Sequence, residues 1–141
     1  MGSMYKTILV TVDATPTDPV IVEHVKQLAK VMHSNVVLLH VATGVPALIH
    51  GAEAGGQEVA EDHAYLSQIK SEFEAAGIPV RTELAFGDPV KEIVNWVNEK
   101  HCDLVAMSTH GHKLIADLVL GTTASRVQHS ISVPVLLLRA K

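Results

Sequence analysis

The stretch DLVAMSTHGHKLIADLVLGTTASRVQHSISVPVLLL, Asp103 to Leu138, runs from a short apolar segment through a glycine-bearing loop into a helical stretch and ends on a second apolar run. Strand, loop, helix and strand in that order form one unit of a parallel α/β sheet. Within it, Gly121-Thr122-Thr123 puts a glycine and two hydroxyl residues at a helix start. Unpaired backbone N–H groups and the helix dipole favour an anion there, which makes the loop a candidate phosphate site. The same residues would also serve as an ordinary N-terminal cap.

Working outward, Lys6 to Asp13 holds Ile8, Leu9, Val10 and Val12 in a near-continuous apolar run, the pattern of a strand buried on both faces. Pro16 and Asp18-Pro19 then open a helix in which Ile21, Val25, Leu28, Ala29 and Met32 follow helical spacing, with Glu23, Lys26 and Lys30 on the polar face. Asn35 to Ala42 repeats the buried-strand pattern. Glu58 to Ala76 returns to helix, with Val59, Leu66, Ile69 and Phe73 in its stripe and Gly77 as its stop. Pro79 to Phe86 reads as a third, less apolar strand nearer an edge, and Gly87-Asp88-Pro89 supplies turn and cap for a helix carrying Val90, Ile93, Val94 and Val97.

Asp103 to Met107 and Val133 to Leu138 complete five strands that alternate with four helices. The expected fold is therefore α/β, a three-layer, Rossmann-like open parallel sheet with helices on both faces. Nothing divides the chain, so a single domain over residues 4–141 is expected, with Met1-Gly2-Ser3 read as an expression remnant ahead of Met4. The one long connection, Thr43 to Gly56, carries four glycines and has the length of functional lids or disordered segments.

Composition narrows the function classes. With 141 residues, 48% hydrophobic and 18% charged, the chain suits one well-packed soluble domain. Aromatics at 4% and a net charge of -4 leave neither a basic patch nor a stacking surface, so no nucleic-acid partner is expected. No apolar run approaches the roughly 20 residues that span a bilayer and no secretory signal opens the chain, so no membrane association and a cytoplasmic location are expected. Cys102 is the single cysteine and reads as a structural thiol beside an apolar strand.

His110 and His112 flank Gly111 in a loop with no second ligand pair close by, so no metal site is assigned. His40 reads as a buried, hydrogen-bonded core residue, and Trp96, one position off its helix stripe, as cover for a groove edge or a partner surface. Neither a nucleophile elbow nor the P-loop or G-x-G-x-x-G pattern occurs, so the chain is not expected to be an enzyme beyond slow hydrolysis of a bound nucleotide.

From Tyr5 to Arg139 these residues resemble the universal stress protein family. Ile8-Leu9-Val10-Thr11-Val12-Asp13 looks like that family's first strand with its terminal Asp, and Gly87-Asp88-Pro89 looks like the turn before its third helix. The most specific likeness is a spacing: the family's nucleotide-binding branch carries Gly, two residues, Gly, nine residues, then Gly with Ser or Thr. Here Gly111, the nine residues His112 to Leu120, and Gly121-Thr122 match, with Ser108 where the first Gly stands. Serine brings a hydroxyl donor but allows close approach and positive φ less readily than glycine.

The resemblance implies the strand order 3-2-1-4-5, with a ligand crevice at the switch point between strands one and four. It implies an adenine-nucleotide site, for ATP or another adenine nucleotide, drawn from Thr11, Val12, Asp13, Val41, Met107, Ser108, His110, Gly111, His112, Lys113, Gly121, Thr122 and Thr123. Asp13 would lie at the adenine or ribose end and the Val41 backbone at the adenine edge. Gly111, Gly121, Thr122 and Thr123 would hold the phosphates, Lys113 would add charge, and a Mg²⁺ ion could accompany the ligand. Asp13 also has a local reading, as a cap on the turn from Ala14 to Asp18.

An apolar edge strand invites pairing, and the resemblance implies an antiparallel, two-fold homodimer through Val133 to Leu138, from which Pro134 removes one donor. The implied function is a cytosolic, homodimeric nucleotide-binding domain in stress response or signalling. The alternatives are the family's non-binding branch acting through other protein partners, which Ser108 favours, and a weak ATPase or self-phosphorylating protein using Thr122 or Thr123.

Overall fold

Ile8, Leu9 and Val10 are completely withdrawn from solvent, as only a central strand covered on both faces can be. The computed structural model describes residues 4–15, 17–42, 56–110 and 122–140, with side chains described in those ranges except at 56–59, 109–110, 122–124 and 140. In chain order the elements are β1 (Thr7–Thr11), α1 (Asp18–Met32), β2 (Asn35–Ala42), α2 (Gly56–Ala75), β3 (Val80–Phe86), α3 (Pro89–Lys100), β4 (Leu104–His110), α4 (Thr122–Ser130) and β5 (Val135–Ala140).

The strands form one sheet in the order β3-β2-β1-β4-β5, and every neighbouring pair is parallel. Side chains alternate across it with the two-residue period of a strand. Ile8, Val10, Val36, Leu38, Leu104 and Ala106 pack with Ile21, Val25 and Ala29 of α1 and with Leu66, Ile69 and Phe73 of α2. Leu9, Val37, Leu39, Val105 and Met107 face the other way, against Val90, Ile93 and Val97 of α3 and Val127 of α4. Each large apolar side chain so buried contributes roughly 1.5–3 kcal/mol on leaving water. The result is the three-layer, doubly wound arrangement that alternating strand and helix patterns predict.

The less apolar composition of β3 is explained by its place at one edge, where none of its residues is fully buried. β5 forms the other edge, and Val135, Leu136, Leu137 and Leu138 are all half-buried. Gly77, with φ of 80°, follows α2 in the left-handed conformation that stops a helix. Asp88 caps α3 by accepting the Lys91 N–H at 3.1 Å, with Pro89 in the first turn, as its sequence predicts.

Among the boundaries that differ from the sequence reading, three stand out. β4 continues through Ser108, Thr109 and His110, three residues beyond the expected end at Met107. These polar residues stay in the ladder because Leu138, Arg139 and Ala140 of β5 remain opposite them, and backbone pairing does not require apolar side chains. Ser108 therefore lies inside the strand rather than after it, and His110 ends the strand rather than belonging to a loop. β5 begins at Val135, not Val133, because Pro134 has no N–H and enters the pairing only through its carbonyl, which accepts the Val105 N–H at 3.1 Å. α2 starts at Gly56, two residues before Glu58, and the rest of the long connection, 43–55, lies outside the described residues.

At the amino ends of the strands, Asp103 Oδ2 accepts the backbone N–H groups of Lys6 and Thr7 at 3.0 and 2.9 Å, tying the approach to β4 to that of β1. Cys102, 3% exposed, packs into the α3/α4 face, and burial, with a smaller contribution from the Asp103 charge, pushes its thiol up to about 11. Among the described residues no helix is long and apolar enough to cross a membrane.

Candidate functional site

β1 and β4 are neighbours in the sheet, but the chain leaves them in opposite directions. From β1 it passes through α1 to β2, and from β4 it passes through α4 to β5. A crevice opens beyond the carboxyl ends of such a pair. Past Thr11 the Val12 N–H still donates to the Leu39 carbonyl at 3.0 Å, and Asp13 then steps out of the sheet into an exposed position. Its Oδ1 accepts the Thr15 backbone N–H at 3.2 Å and the Thr15 hydroxyl, closing a local Asx-type turn. The local capping role that Asp13 could play is thus present, on a carboxylate beyond the carboxyl end of β1, at the switch point between β1 and β4.

Asp18, the first residue of α1, is 1% exposed and turns its carboxylate back toward this loop. Oδ1 accepts the Asp13 N–H at 3.1 Å, and Oδ2 accepts the Ala14 N–H at 2.9 Å as well as the Tyr65 hydroxyl. Ala14 has φ of 61°, the left-handed region that costs a residue with a Cβ about 1–2 kcal/mol. Burial pushes the Asp18 carboxyl above the ordinary carboxylate range, and the Asp13 charge adds to the rise. The hydrogen bonds from Tyr65 and from the Asp13 N–H favour the charged form and oppose it. Burial and the Asp18 carboxylate likewise raise the Tyr65 hydroxyl.

His40, near the end of β2, is 9% exposed and hydrogen-bonded, as its sequence position predicts. Its Nδ1 lies 2.9 Å from the Val12 carbonyl oxygen, which can only accept, so Nδ1 carries the proton. Its Nε2 faces Asp62 Oδ2 of α2 at 3.5 Å. On the β4 side, Ser108 is half-buried with Oγ 3.5 Å from Thr17 Oγ1, at the outer limit of hydrogen bonding, and Thr17 Oγ1 is 2.8 Å from Thr15 Oγ1. A line of hydroxyls thus crosses from the β1–α1 loop to β4.

Of the residues the sequence nominated, Thr11, Val12, Asp13, Val41, Met107 and Ser108 lie at or near the carboxyl ends of three adjacent strands, β2, β1 and β4. The side chains of Val12 and Met107 are buried in opposite cores, so these two residues offer the crevice only backbone. His110 closes β4, and Thr122 and Thr123 open α4, with side chains outside the described set. Gly111, His112, Lys113 and Gly121 lie wholly outside the described residues.

Sequence reasoning missed Asp62 and Tyr65 and gave Asp18 only a helix-opening role. A signal for the first was present. Asp62 interrupts the stripe made by Val59, Leu66, Ile69 and Phe73 at a position where an apolar residue is expected, and a carboxylate on a buried stripe needs a partner.

Comparison with known proteins identifies the family and the fold. The family model described as the universal stress protein family matches residues 4–139. The universal stress protein MJ0577 of Methanocaldococcus jannaschii is 28% identical over 160 aligned positions, covering 100% of this chain and 99% of that protein. The solved structure of MJ0577 superposes with a TM-score of 0.84 at 28% identity over 98% of both chains. A universal stress protein in complex with cAMP superposes at 0.76 with 21% identity, over 97% of this chain and 98% of that one. The Archaeoglobus fulgidus universal stress protein in complex with dAMP gives 0.72 at 18% identity, over 95% and 98% respectively.

Proposed function

The chain belongs to the universal stress protein family, and from that premise we propose that it binds an adenine nucleotide at the β1/β4 switch point and acts as a homodimeric domain in stress response or signalling. The observation that carries this reading is that Asp13, at the exit of β1, and Ser108, within β4, meet at the β1/β4 switch point, linked through the hydroxyls of Thr15 and Thr17. The cAMP and dAMP complexes of proteins with the same fold support the ligand class.

Charge orients the ligand. Asp13, Asp18 and Asp62 cluster at the β1 side, through Asp18's bond to the Asp13 N–H and Asp62's contact with His40, which holds the Val12 carbonyl. Two like unit charges at about 4 Å repel by roughly 4 kcal/mol at an effective dielectric constant near 20. The nucleoside end therefore belongs against Asp13 and the Val41 backbone. The phosphates, with any Mg²⁺ ion, extend toward the segment from Gly111 to Thr123, where the amino end of α4 favours an anion. The half-buried apolar edge of β5 suits pairing with a second copy, and the role assigned is cytoplasmic sensing rather than catalysis.

Ser108 in place of the motif glycine favours a second reading, a dimer of the same fold that works through protein partners without nucleotide. The two separate on one experiment. Purified protein is denatured and the released small molecules are resolved by chromatography, before and after incubation with ATP. Recovery of adenine nucleotide in near-stoichiometric amount is expected, and none under either condition would favour the second reading. Sedimentation is expected to give twice the chain mass.

A further inference from the structure

Three consecutive residues at the crevice, Val12, Asp13 and Ala14, each have a backbone group held by a side chain from elsewhere. His40 Nδ1 donates to the Val12 carbonyl at 2.9 Å, and the Asp18 carboxylate accepts the N–H groups of Asp13 and Ala14 at 3.1 and 2.9 Å. Both holding side chains are in turn backed by α2, His40 by Asp62 and Asp18 by Tyr65, three residues apart on one face of that helix.

Asp18 is not used as an ordinary helix cap. The N-cap of α1 is Thr17, which makes no side-chain cap bond, while the buried Asp18 carboxylate is turned entirely onto the preceding loop and Tyr65. The loop it holds contains Ala14 at φ of 61°, a conformation that a residue with a Cβ keeps only when its surroundings impose it.

We propose that Asp18 and Tyr65 are positioning residues for the crevice: the Tyr65 hydroxyl, carried on α2, fixes the Asp18 carboxylate, which fixes the Asp13–Ala14 backbone so that the Asp13 side chain meets the nucleoside end of the ligand. The inference rests on the nucleotide-binding reading and deepens it, because it makes the placement of α2 part of the binding site. The relay needs no contact between the ligand and Asp18 or Tyr65. It acts by raising the fraction of molecules whose loop is already in the binding geometry, and apparent affinity scales with that fraction.

Tyr65→Phe tests it, since the ring that packs against the core stays and only the hydroxyl is lost. ATP affinity is measured by calorimetric titration, and amide hydrogen exchange is followed in the ligand-free protein. Affinity is expected to fall about fivefold, as the ready fraction drops to about a fifth. The Asp13 and Ala14 amides should exchange faster by a similar factor, while those of Val25 and Ala29 in α1 keep their wild-type rates. Asp18→Asn should weaken binding further.

Wild-type affinity and exchange in Tyr65→Phe would overturn the proposal while leaving the nucleotide reading intact. So would faster exchange spread equally over Val25 and Ala29, because that is general loosening rather than positioning. A wild-type protein that binds no nucleotide would overturn both together.

Discussion

Replacing Asp18 by alanine removes one carboxylate and leaves three donors without it, the N–H groups of Asp13 and Ala14 and the Tyr65 hydroxyl. Hydrogen bonds to a charged group are worth roughly 1.5–3 kcal/mol each, but the full sum is not lost. Asp13 and Ala14 are exposed, so water replaces much of their bonding. The burial penalty of the carboxylate, visible in its raised pKa, disappears with it, and the strain at Ala14 can relax. A net cost of about 2–3 kcal/mol follows.

Unfolding entropy near 2.1 cal/mol/K per residue over 141 residues gives about 0.3 kcal/mol/K, so the melting temperature should fall by about 8 °C. Asp18→Asn keeps one acceptor and turns its amide donors against the Ala14 N–H, so about half that loss is expected. The assay is calorimetric or circular-dichroism melting. Because the folded pKa of Asp18 lies above its ordinary 3.8, its titration favours the folded state at acid pH: that contribution is complete below 3.8 and is lost as pH rises through the folded value. The gap between wild type and Asp18→Ala should therefore widen on acidification. A melting temperature in Asp18→Ala within about 2 °C of wild type, or an equal loss in the asparagine variant, would refute the reasoning.

Asp88→Ala removes the cap on α3 and should cost about 1 kcal/mol, near 3 °C in melting temperature. Cys102, pushed up to about 11 by burial, should react with a thiol-specific disulfide reagent at neutral pH at least about 100-fold more slowly in the native protein than in denaturant. Since its folded pKa lies above the usual 9.0, its stability contribution is complete below pH 9.0 and lost as pH rises toward 11, a decline that Cys102→Ala should remove on alkaline melting curves.

The fold was legible because its strongest signals are periodic. The continuous apolar runs of β1 and β2 can only be strands covered on both faces, and their alternation with amphipathic helices admits a parallel sheet. The ends of β4 and β5 were less legible because ladder pairing is a property of two distant segments: Ser108, Thr109 and His110 are strand only because β5 lies beside them.

The site divides in the same way. Asp13 and Ser108 were brought together by the family resemblance, which implies the strand order that sets β1 beside β4. The Asp18–Tyr65 and His40–Asp62 contacts join α1 to α2 and β2 to α2 across 47 and 22 positions of sequence (65 minus 18 and 62 minus 40), and no local pattern specifies which carboxylate meets which donor. Only Asp62, out of place on an apolar stripe, gave any sign of them.

The most direct test of the central claim is calorimetric titration of the purified protein with ATP, ADP, AMP and cyclic AMP, with Asp13→Ala run in parallel. Micromolar binding of at least one of these nucleotides, lost in the variant, is the expected result. No heat with any of the four, or binding that Asp13→Ala leaves untouched, would contradict the assignment of a nucleotide to the β1/β4 crevice.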